Sequence, residues 1–175
     1  MKKSILLAFA ILPTFSFAQL VMTPEGIKGA DSREFVVLET GELSQEEIYQ
    51  KSLTFLNGMY NSPKDAISAV ENSSITVNGF QPEAIRSQYK RLKHTYDLRY
   101  SITLEFKEGK VKFQVNSWEA GALINVGDFK PLKDYYGVYN DQLQLQNEAA
   151  KNDLEGFFNE FLALYETKVL KSSNW

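Results

Sequence analysis

The sequence has no cysteine and a single histidine, His94, among its 175 residues. Without cysteine there is no disulfide framework, thiol nucleophile, iron–sulfur cluster or cysteine-ligated zinc site. A single histidine likewise excludes a histidine-rich metal site and a two-histidine proton shuttle within one chain. We therefore expect neither a metal site nor a cofactor.

The sequence also has no excess of positive charge. The chain carries 19 lysine and arginine residues against 22 aspartate and glutamate residues, which gives a formal net charge of −3. Because nucleic-acid binding depends on basic surface, this balance predicts no nucleic-acid partner. The apolar content of 43% is typical of a folded domain rather than a disordered chain.

The first eighteen residues have the pattern of a secretory signal peptide. Two lysines precede the apolar run Ile5–Leu12, and Ser16 and Ala18 place small residues just before Gln19. The run is shorter than the roughly 20 residues that a membrane span needs. We therefore predict a cleaved signal peptide at residues 1–18 and export to the periplasm or the cell exterior, with no membrane span afterwards. Cleavage would leave 157 residues with a net charge of −5.

The remaining length fits one domain, which we place at residues 34–170. Residues 19–33 contain one proline and two glycines and few large apolar side chains, so they are expected to form an extended N-terminal leader. Residues 171–175 are expected to be a C-terminal tail.

The domain begins with a predicted strand at Glu34–Thr40 and a helix after it. Ser44 and Glu47 have the spacing of a capping box, in which each side chain bonds the backbone N–H at the other's position. The helix that follows ends before Pro63, and its apolar stripe has the spacing 4-3-4, at Tyr49, Leu53, Leu56 and Tyr60.

A run of strands follows this helix. Ala66–Glu71 and Ile75–Phe80 flank a turn, and Tyr96–Lys107 alternates apolar and polar side chains without interruption. A turn at Glu108 and Gly109 leads into a second alternating strand through Val115, which predicts an antiparallel hairpin with one buried and one solvated face.

Two further segments complete the domain. A second amphipathic helix is predicted from about Asn147 to Val169. For Pro82–His94, a short helix and an irregular sheet connection fit equally well, because Ile85, Tyr89, Leu92 and Tyr96 also have 4-3-4 spacing. The predicted order is β-α-β-β-β-β-α, an α+β fold in which a curved antiparallel sheet carries both helices on one face.

Three segments together resemble a known family. They are EFVVLETGELSQEEIYQKSLTFLNGMYNSPKDAI (Glu34–Ile67), YDLRYSITLEFKEGKVKFQVNSW (Tyr96–Trp118) and the phenylalanine-rich last helix. The family consists of secreted Bacteroidetes proteins with a domain of unknown function, and its fold is like that of the TATA-box-binding protein (TBP). The resemblance implies a TBP-like fold over about Glu34–Val169 but no catalytic or binding residue, and likeness to a DNA-binding protein carries no function by itself.

Catalytic patterns in the sequence have simpler explanations. Ser87 and Lys90 have the S-x-x-K spacing of serine acyltransferases, but the companion motifs of those enzymes are absent. His94 lies in a basic stretch without a nearby carboxylate partner, so we interpret it as a solvated histidine. We therefore expect no enzyme activity. The alternative is a carboxylate-based hydrolase of cell-envelope glycans, which would need two carboxylates facing each other across a cleft.

A binding role is the remaining expectation. The solvated face of the long hairpin presents Arg99, and the stretch Trp118–Tyr139 shows no period and is long for an inert connection. Arginine and tyrosine side chains often dominate binding energy, so the predicted contact residues are Arg99, Tyr135, Tyr136 and Tyr139. The expected partner is an envelope protein or a glycan. The competing interpretation is that these rings cover an open end of the core.

Overall fold

The computed structural model describes residues 19–89, 92–125, 128–131 and 137–171. In these residues the strands are β1 (Leu20–Thr23), β2 (Gly26–Gly29), β3 (Val36–Glu39), β4 (Ile67–Val70), β5 (Ser74–Tyr89), β6 (Leu92–Lys107), β7 (Lys110–Asn125) and β8 (Asp128–Pro131). The helices are α1 (Gln45–Met59), the short α2 (Pro63–Ala66) and α3 (Glu148–Tyr165), which continues into a π-helical turn (Glu166–Leu170).

One antiparallel sheet dominates the fold. Its strand order is β3-β7-β6-β5-β4, and β8 pairs with the C-terminal half of β7. The long strands β5, β6 and β7 run through the whole sheet, whereas β3 and β4 cover only part of its edges. The expected α+β class with an antiparallel sheet is therefore confirmed.

The alternation along β6 decides which face of the sheet is buried. Leu98, Ile102 and Leu104 are completely buried, while Ser101 and Thr103 on the opposite face remain in part accessible to solvent. A strand places successive side chains on opposite faces, so burial of one set leaves the other set on an open face.

Both long helices pack on the buried face. In α1, Tyr49 meets Phe106 of β6 edge to face, with ring centroids 5.6 Å apart. In α3, Phe161 lies 5.8 Å from Phe113 of β7. A buried hydrogen bond of 2.6 Å between the hydroxyls of Ser52 and Tyr165 joins the two helices.

The start of α1 has the predicted geometry. The Glu47 backbone N–H donates to the Ser44 hydroxyl, and the Ser44 backbone N–H donates to the Glu47 carboxylate. These two bonds satisfy donors that a helix start otherwise leaves without partners.

Residues 19–33 differ from the expected extended leader. They contain the β1–β2 hairpin, in which Leu20, Met22 and Ile27 are buried. The hairpin is held against α3, because Leu20 exchanges two backbone hydrogen bonds with the amide of Asn159, at 2.9 and 2.8 Å. Apolar side chains alternate around a tight turn in this short hairpin. Their burial against the domain stabilises the docked hairpin.

The described parts of residues 82–94 (82–89 and 92–94) form neither of the two structures expected for them. β5 and β6 continue through this region as a hairpin, with Ile85 opposite Tyr96. A bulge between Gln81 and Ile85 interrupts the register, and Glu83 there has a φ of 52°. Spacings of four residues fit strand alternation as well as a helix, which is why the pattern was ambiguous.

The described part of the aperiodic stretch Trp118–Tyr139 is also partly sheet. β7 extends to Asn125 and β8 pairs with it antiparallel. A bulge after Val115 shifts the register of β7 against β6, so the apolar positions beyond it no longer continue the earlier alternation. The predicted signal peptide and residues 172–175 of the expected tail lie outside the described residues.

Candidate binding surface

The centre of the open face is lined by neutral polar side chains. The Thr76 and Thr103 hydroxyls on neighbouring strands are hydrogen bonded at 3.0 Å. The Asn116 amide donates to the Thr103 hydroxyl at 2.8 Å. These cross-strand bonds fix the side chains in a flat polar layer.

One end of the open face carries an apolar and cationic cluster, which we call the aromatic–arginine patch. It consists of Phe80 on β5, Arg99 on β6, Leu123 on β7 and Phe129 on β8. Phe80 lies directly opposite Arg99, and Leu123 lies directly opposite Phe129. Four strands therefore contribute one side chain each, and none of these side chains belongs to the buried core.

Two ring contacts organise the patch. The Arg99 guanidinium carbon lies 4.1 Å from the centroid of the Phe129 ring, within the range of a cation–π interaction. Phe80 meets Phe129 edge to face at 6.5 Å. These contacts hold the charged and aromatic groups in one orientation before any partner binds.

Gly121 makes room for the Phe129 ring. A Cβ atom at this position would lie 2.7 Å from two carbons of the ring and would also meet the Lys130 carbonyl oxygen. Because β7 has no side chain here, the ring crosses the strand and reaches Arg99 on β6. The residue type at position 121 thus decides whether the patch can form.

The patch is exposed although much of it is apolar. Phe80 and Leu123 keep 43% and 46% of their surface accessible to solvent. Arg99 is of intermediate exposure, and within the described part of the chain its guanidinium makes no salt bridge. Exposed apolar groups beside an unpaired arginine are typical of contact surfaces.

The rim of the patch is held by Asp97. Its carboxylate accepts hydrogen bonds from the backbone N–H groups of Glu83, at 3.0 Å, and Leu123, at 3.1 Å. The first bond fixes the β5 bulge and the second fixes the part of β7 that carries Leu123. The carboxylate thus helps to position the strand segments that carry the patch.

The opposite end of the open face has mixed charge. Lys112 pairs with Glu105 at 2.9 Å and also lies 5.0 Å from the Phe35 ring centroid. Lys107 and Lys110 line the same depression of about 250 Å³. Its cations are partly balanced by Glu105, so this end has less binding character than the patch.

Arg99 and Tyr139, two of the four residues predicted for binding, lie in different parts of the structure. Arg99 lies in the patch. Tyr139 packs partly buried against the core, and its hydroxyl donates to the Met22 carbonyl oxygen at 2.8 Å. For Tyr139, this placement favours the interpretation that the ring covers the core and supports the hairpin. Tyr135 and Tyr136 lie outside the described residues.

Phe80, Leu123 and Phe129 were not predicted as binding residues. Phe80 follows the alternation of β5 and falls on the polar face, which is the one feature of the sequence that could have pointed to it. Leu123 and Phe129 lie beyond the bulge in β7, where the alternation no longer shows the face.

The residues considered for catalysis have structural roles or exposed positions. Ser87 is buried, and its hydroxyl accepts a 2.7 Å bond from the amide of Asn147, the residue that caps α3. Lys90 lies outside the described residues. His94 is exposed on β6, with its ring 6.0 Å from that of Tyr96.

In the part of the chain that the structure describes, the acidic side chains show no arrangement suited to metal binding. Among the described residues, no group of three histidine, aspartate or glutamate side chains is placed to hold a metal ion.

A hydrogen bond from the Thr23 hydroxyl lowers the pKa of Glu25. Burial alone would raise the pKa of Asp153, but hydrogen bonds from the Arg86 guanidinium and backbone lower it. Both carboxylates are therefore stabilised in the charged form.

Comparison with known families agrees with this fold. Residues 35–119 match the model of a domain of unknown function (DUF4468) with a TBP-like fold. This segment is therefore similar to that family's domain. The resemblance expected from the sequence is confirmed, and the matched segment runs from just before β3 into β7. None of the curated proteins matches the chain.

Two crystal structures have a similar architecture. A TBP-like protein from Parabacteroides distasonis is 13% identical, with a TM-score of 0.53 over 80% of this chain and 92% of its own. A DUF4468 family protein from Bacteroides ovatus is 14% identical, with a TM-score of 0.51 over 79% of this chain and 85% of its own. These likenesses show a common TBP-like fold.

A membrane-spanning helix is not found in the part of the chain that the structure describes, since each helix there is too short or too polar to cross a bilayer.

Proposed function

We propose that this protein is an exported, non-catalytic binding module that binds a protein of the cell envelope through the aromatic–arginine patch. The observation that carries the proposal is the exposure of Phe80 and Leu123 beside Arg99, which is stacked on Phe129. Aromatic and arginine side chains are enriched among the residues that dominate protein interfaces.

The rigidity of the patch supports a binding role. Each member is on a strand, and the rings and guanidinium already contact one another. Binding costs less side-chain entropy when the contact groups are ordered in advance. A partner that places a carboxylate on Arg99 and an apolar side chain between Phe80 and Leu123 would complement both features.

Two of the described carboxylates are unsuited to the acid step of glycoside hydrolysis. A glycoside hydrolase needs a carboxylic acid with a raised pKa to protonate the leaving group. Glu25 and Asp153 have lowered pKa values for the reasons given above, so neither suits that role.

Export rests on residues 1–18, whose pattern is that of a signal peptide. It is tested by N-terminal sequencing of the protein recovered from its native cells. A chain that begins at Gln19 is expected, and a chain that still begins at Met1 would contradict export.

The binding proposal is tested by affinity capture from an envelope fraction. Phe80→Ser and Arg99→Ala are compared with Leu164→Ser, which removes a leucine of similar exposure (40%) from α3. We expect the two patch variants to lose capture of a specific protein by about tenfold or more, with unchanged melting temperatures. Leu164→Ser should capture it normally.

Two results would contradict this proposal. One is equal capture by all variants, because the patch would then contribute nothing. The other is capture that survives protease digestion of the envelope fraction, because the ligand would then be a glycan.

A further inference from the structure

The second half of α3 packs on the sheet through aromatic rings. The rings of Phe157 and Phe158 lie 5.0 and 6.0 Å from that of Tyr100 on β6, and Phe161 contacts Phe113 of β7. These large side chains hold the helix away from the backbone of the sheet. Where the facing side chains are smaller, the two surfaces do not meet and a space remains between them.

The first half of α3 presents smaller side chains to the sheet. Ala150 of α3 and Ala120 of β7 are both buried, and both line a cavity of about 260 Å³. Ile85 of β5 and Leu154 of α3 also line it. Ala120 lies opposite Leu98 of β6, so it is on the helix-covered face of the sheet. We call this space between α3 and the covered face the α3–sheet cavity.

Polar contacts prevent α3 from closing this space. The Arg86 backbone N–H donates to the Asp153 carboxylate at 2.7 Å, and the Asn147 amide donates to the Ser87 hydroxyl at 2.7 Å. Both contacts fix the first half of α3 to β5. The helix therefore cannot shift towards Ala120 on β7 without breaking them, and the cavity is a stable feature of the fold.

The α3–sheet cavity offers little to a polar occupant. Trp118 lies opposite Tyr100, so its indole forms a further wall on the helix-covered face. Among the described residues, the buried side-chain polar atoms without a hydrogen-bond partner belong to Thr40 and Asn72, and neither residue lines this cavity. A water molecule needs two to four polar partners, whereas apolar cavities stay dry and bind apolar molecules.

The cavity is connected to the surface of the protein. Gly137 and Trp118 line it and are both partly accessible to solvent. A ligand can therefore enter beside them, and a polar group at the end of the ligand can remain in water there.

We propose that the α3–sheet cavity binds a short aliphatic chain. Apolar cavities of about 150 Å³ in proteins bind benzene, a ring of six carbon atoms. At the same volume per carbon, a cavity of about 260 Å³ takes an alkyl chain of about ten carbon atoms. This site lies on the other face of the sheet from the aromatic–arginine patch, so it does not depend on the function proposed above.

Fluorescence titration of the full chain with straight-chain 1-alkanols tests the proposal. The chain has two tryptophans, so Trp175→Phe leaves Trp118, which lines the cavity, as the sole indole. We expect a saturable change in Trp118 emission with octanol and decanol. Each added CH₂ group should strengthen binding by about fourfold up to a length of about ten carbons. Longer chains should gain little more, because the excess length remains in water.

Ala150→Leu shows whether the ligand and this side chain share one space. The variant adds an isopropyl group to the cavity wall, so the preferred alkanol should become shorter by about two or three carbons. Decanol should bind about tenfold more weakly or worse. The melting temperature should hold or rise, because the added group fills a space that the parent leaves open. Ala120→Val fills the cavity from the sheet and gives the same test if Ala150→Leu does not fold.

Gly156→Ala is the matched control on the same helix, because a Cβ atom at position 156 meets nothing within 4 Å. It should leave both the affinity and the preferred chain length unchanged, as should Phe80→Ser at the patch. The proposal is overturned if neither octanol nor decanol binds saturably up to its limit of solubility. It is also overturned if the cavity-filling variants bind both alkanols as the parent does, or if Gly156→Ala weakens binding as much as they do.

Discussion

At the scale of single residues, two glycines decide where aromatic rings lie. Gly121 leaves space for Phe129 on the open face, as described above. Gly79 plays the same part on the buried face, where a Cβ atom would overlap the ring of Tyr100. The Tyr100 hydroxyl is in turn hydrogen bonded to that of Tyr60 at 2.9 Å. Because Gly79 leaves room for the Tyr100 ring, this bond can join the end of α1 to the sheet.

Substitution of Gly79 is therefore expected to destabilise the protein. Gly79→Ala forces Tyr100 away from β5 and disturbs its bond to Tyr60, with an expected loss of about 1–3 kcal/mol in the free energy of unfolding. Chemical denaturation measures this loss.

Gly58→Ala is the matched control, because a Cβ atom in that helical position meets nothing within 4 Å. Alanine favours a helix over glycine by about 1 kcal/mol, so this variant should be more stable than the parent. Equal effects of the two substitutions would show that the space above Gly79 is not filled as described.

At the scale of elements, polar contacts fix the N-terminal half of α3 to β5. Asp153 accepts a 2.7 Å hydrogen bond from the backbone N–H of Arg86 and also pairs with its guanidinium. Near the start of the helix, Asn147 donates to Ser87 at 2.7 Å. These contacts satisfy polar groups on the outer edge of β5, beyond the reach of β4.

The Asp153 contact predicts a specific dependence of stability on pH. Because its pKa is lowered in the folded state, the carboxylate stabilises the fold above its unfolded pKa of about 3.9. This contribution is lost as the pH falls through the lower, folded value. The difference in unfolding free energy between the parent and Asp153→Asn should therefore be larger at neutral pH and shrink below about pH 4.

Urea denaturation at a series of pH values measures that difference. A difference that stays constant from neutral pH to well below pH 4 would show that the charge of Asp153 does not support the α3–β5 contact. In an Arg86→Met background the effect of Asp153→Asn should be smaller, since the guanidinium is then missing.

Helices and strands could be predicted from the sequence only where the local residue pattern is uninterrupted. The alternation around Leu98 and Ile102 predicted β6, and Ser44 with Glu47 predicted the start of α1. Prediction failed where a bulge reset the alternation, at Gln81–Ile85 and after Val115. A bulge depends on pairing between strands, which a local pattern does not contain.

At the scale of the whole molecule, the candidate site could be predicted only in part. Arg99 was predicted because it lies on the solvated face of a regular strand. Phe80 and Phe129 are 49 positions apart in the sequence, and only the register of four strands places them together. The geometry of the patch is thus a property of the assembled sheet.

The two faces of the sheet have different roles in the molecule. The helices cover one face and supply the core, while the other face carries the patch. We propose that a partner protein binds the open face and not the helical side. Phe80 and Leu164 are exposed to a similar degree, 43% and 40%, and represent these two sides.

Site-specific photo-crosslinking in native cells shows which of the two sides contacts a partner. A photoreactive phenylalanine analogue is placed at position 80 in one variant and at position 164 in another, and adducts are identified after illumination. We expect a discrete protein adduct from position 80 and none from position 164. An adduct from position 164 alone, or none from position 80, would contradict this proposal.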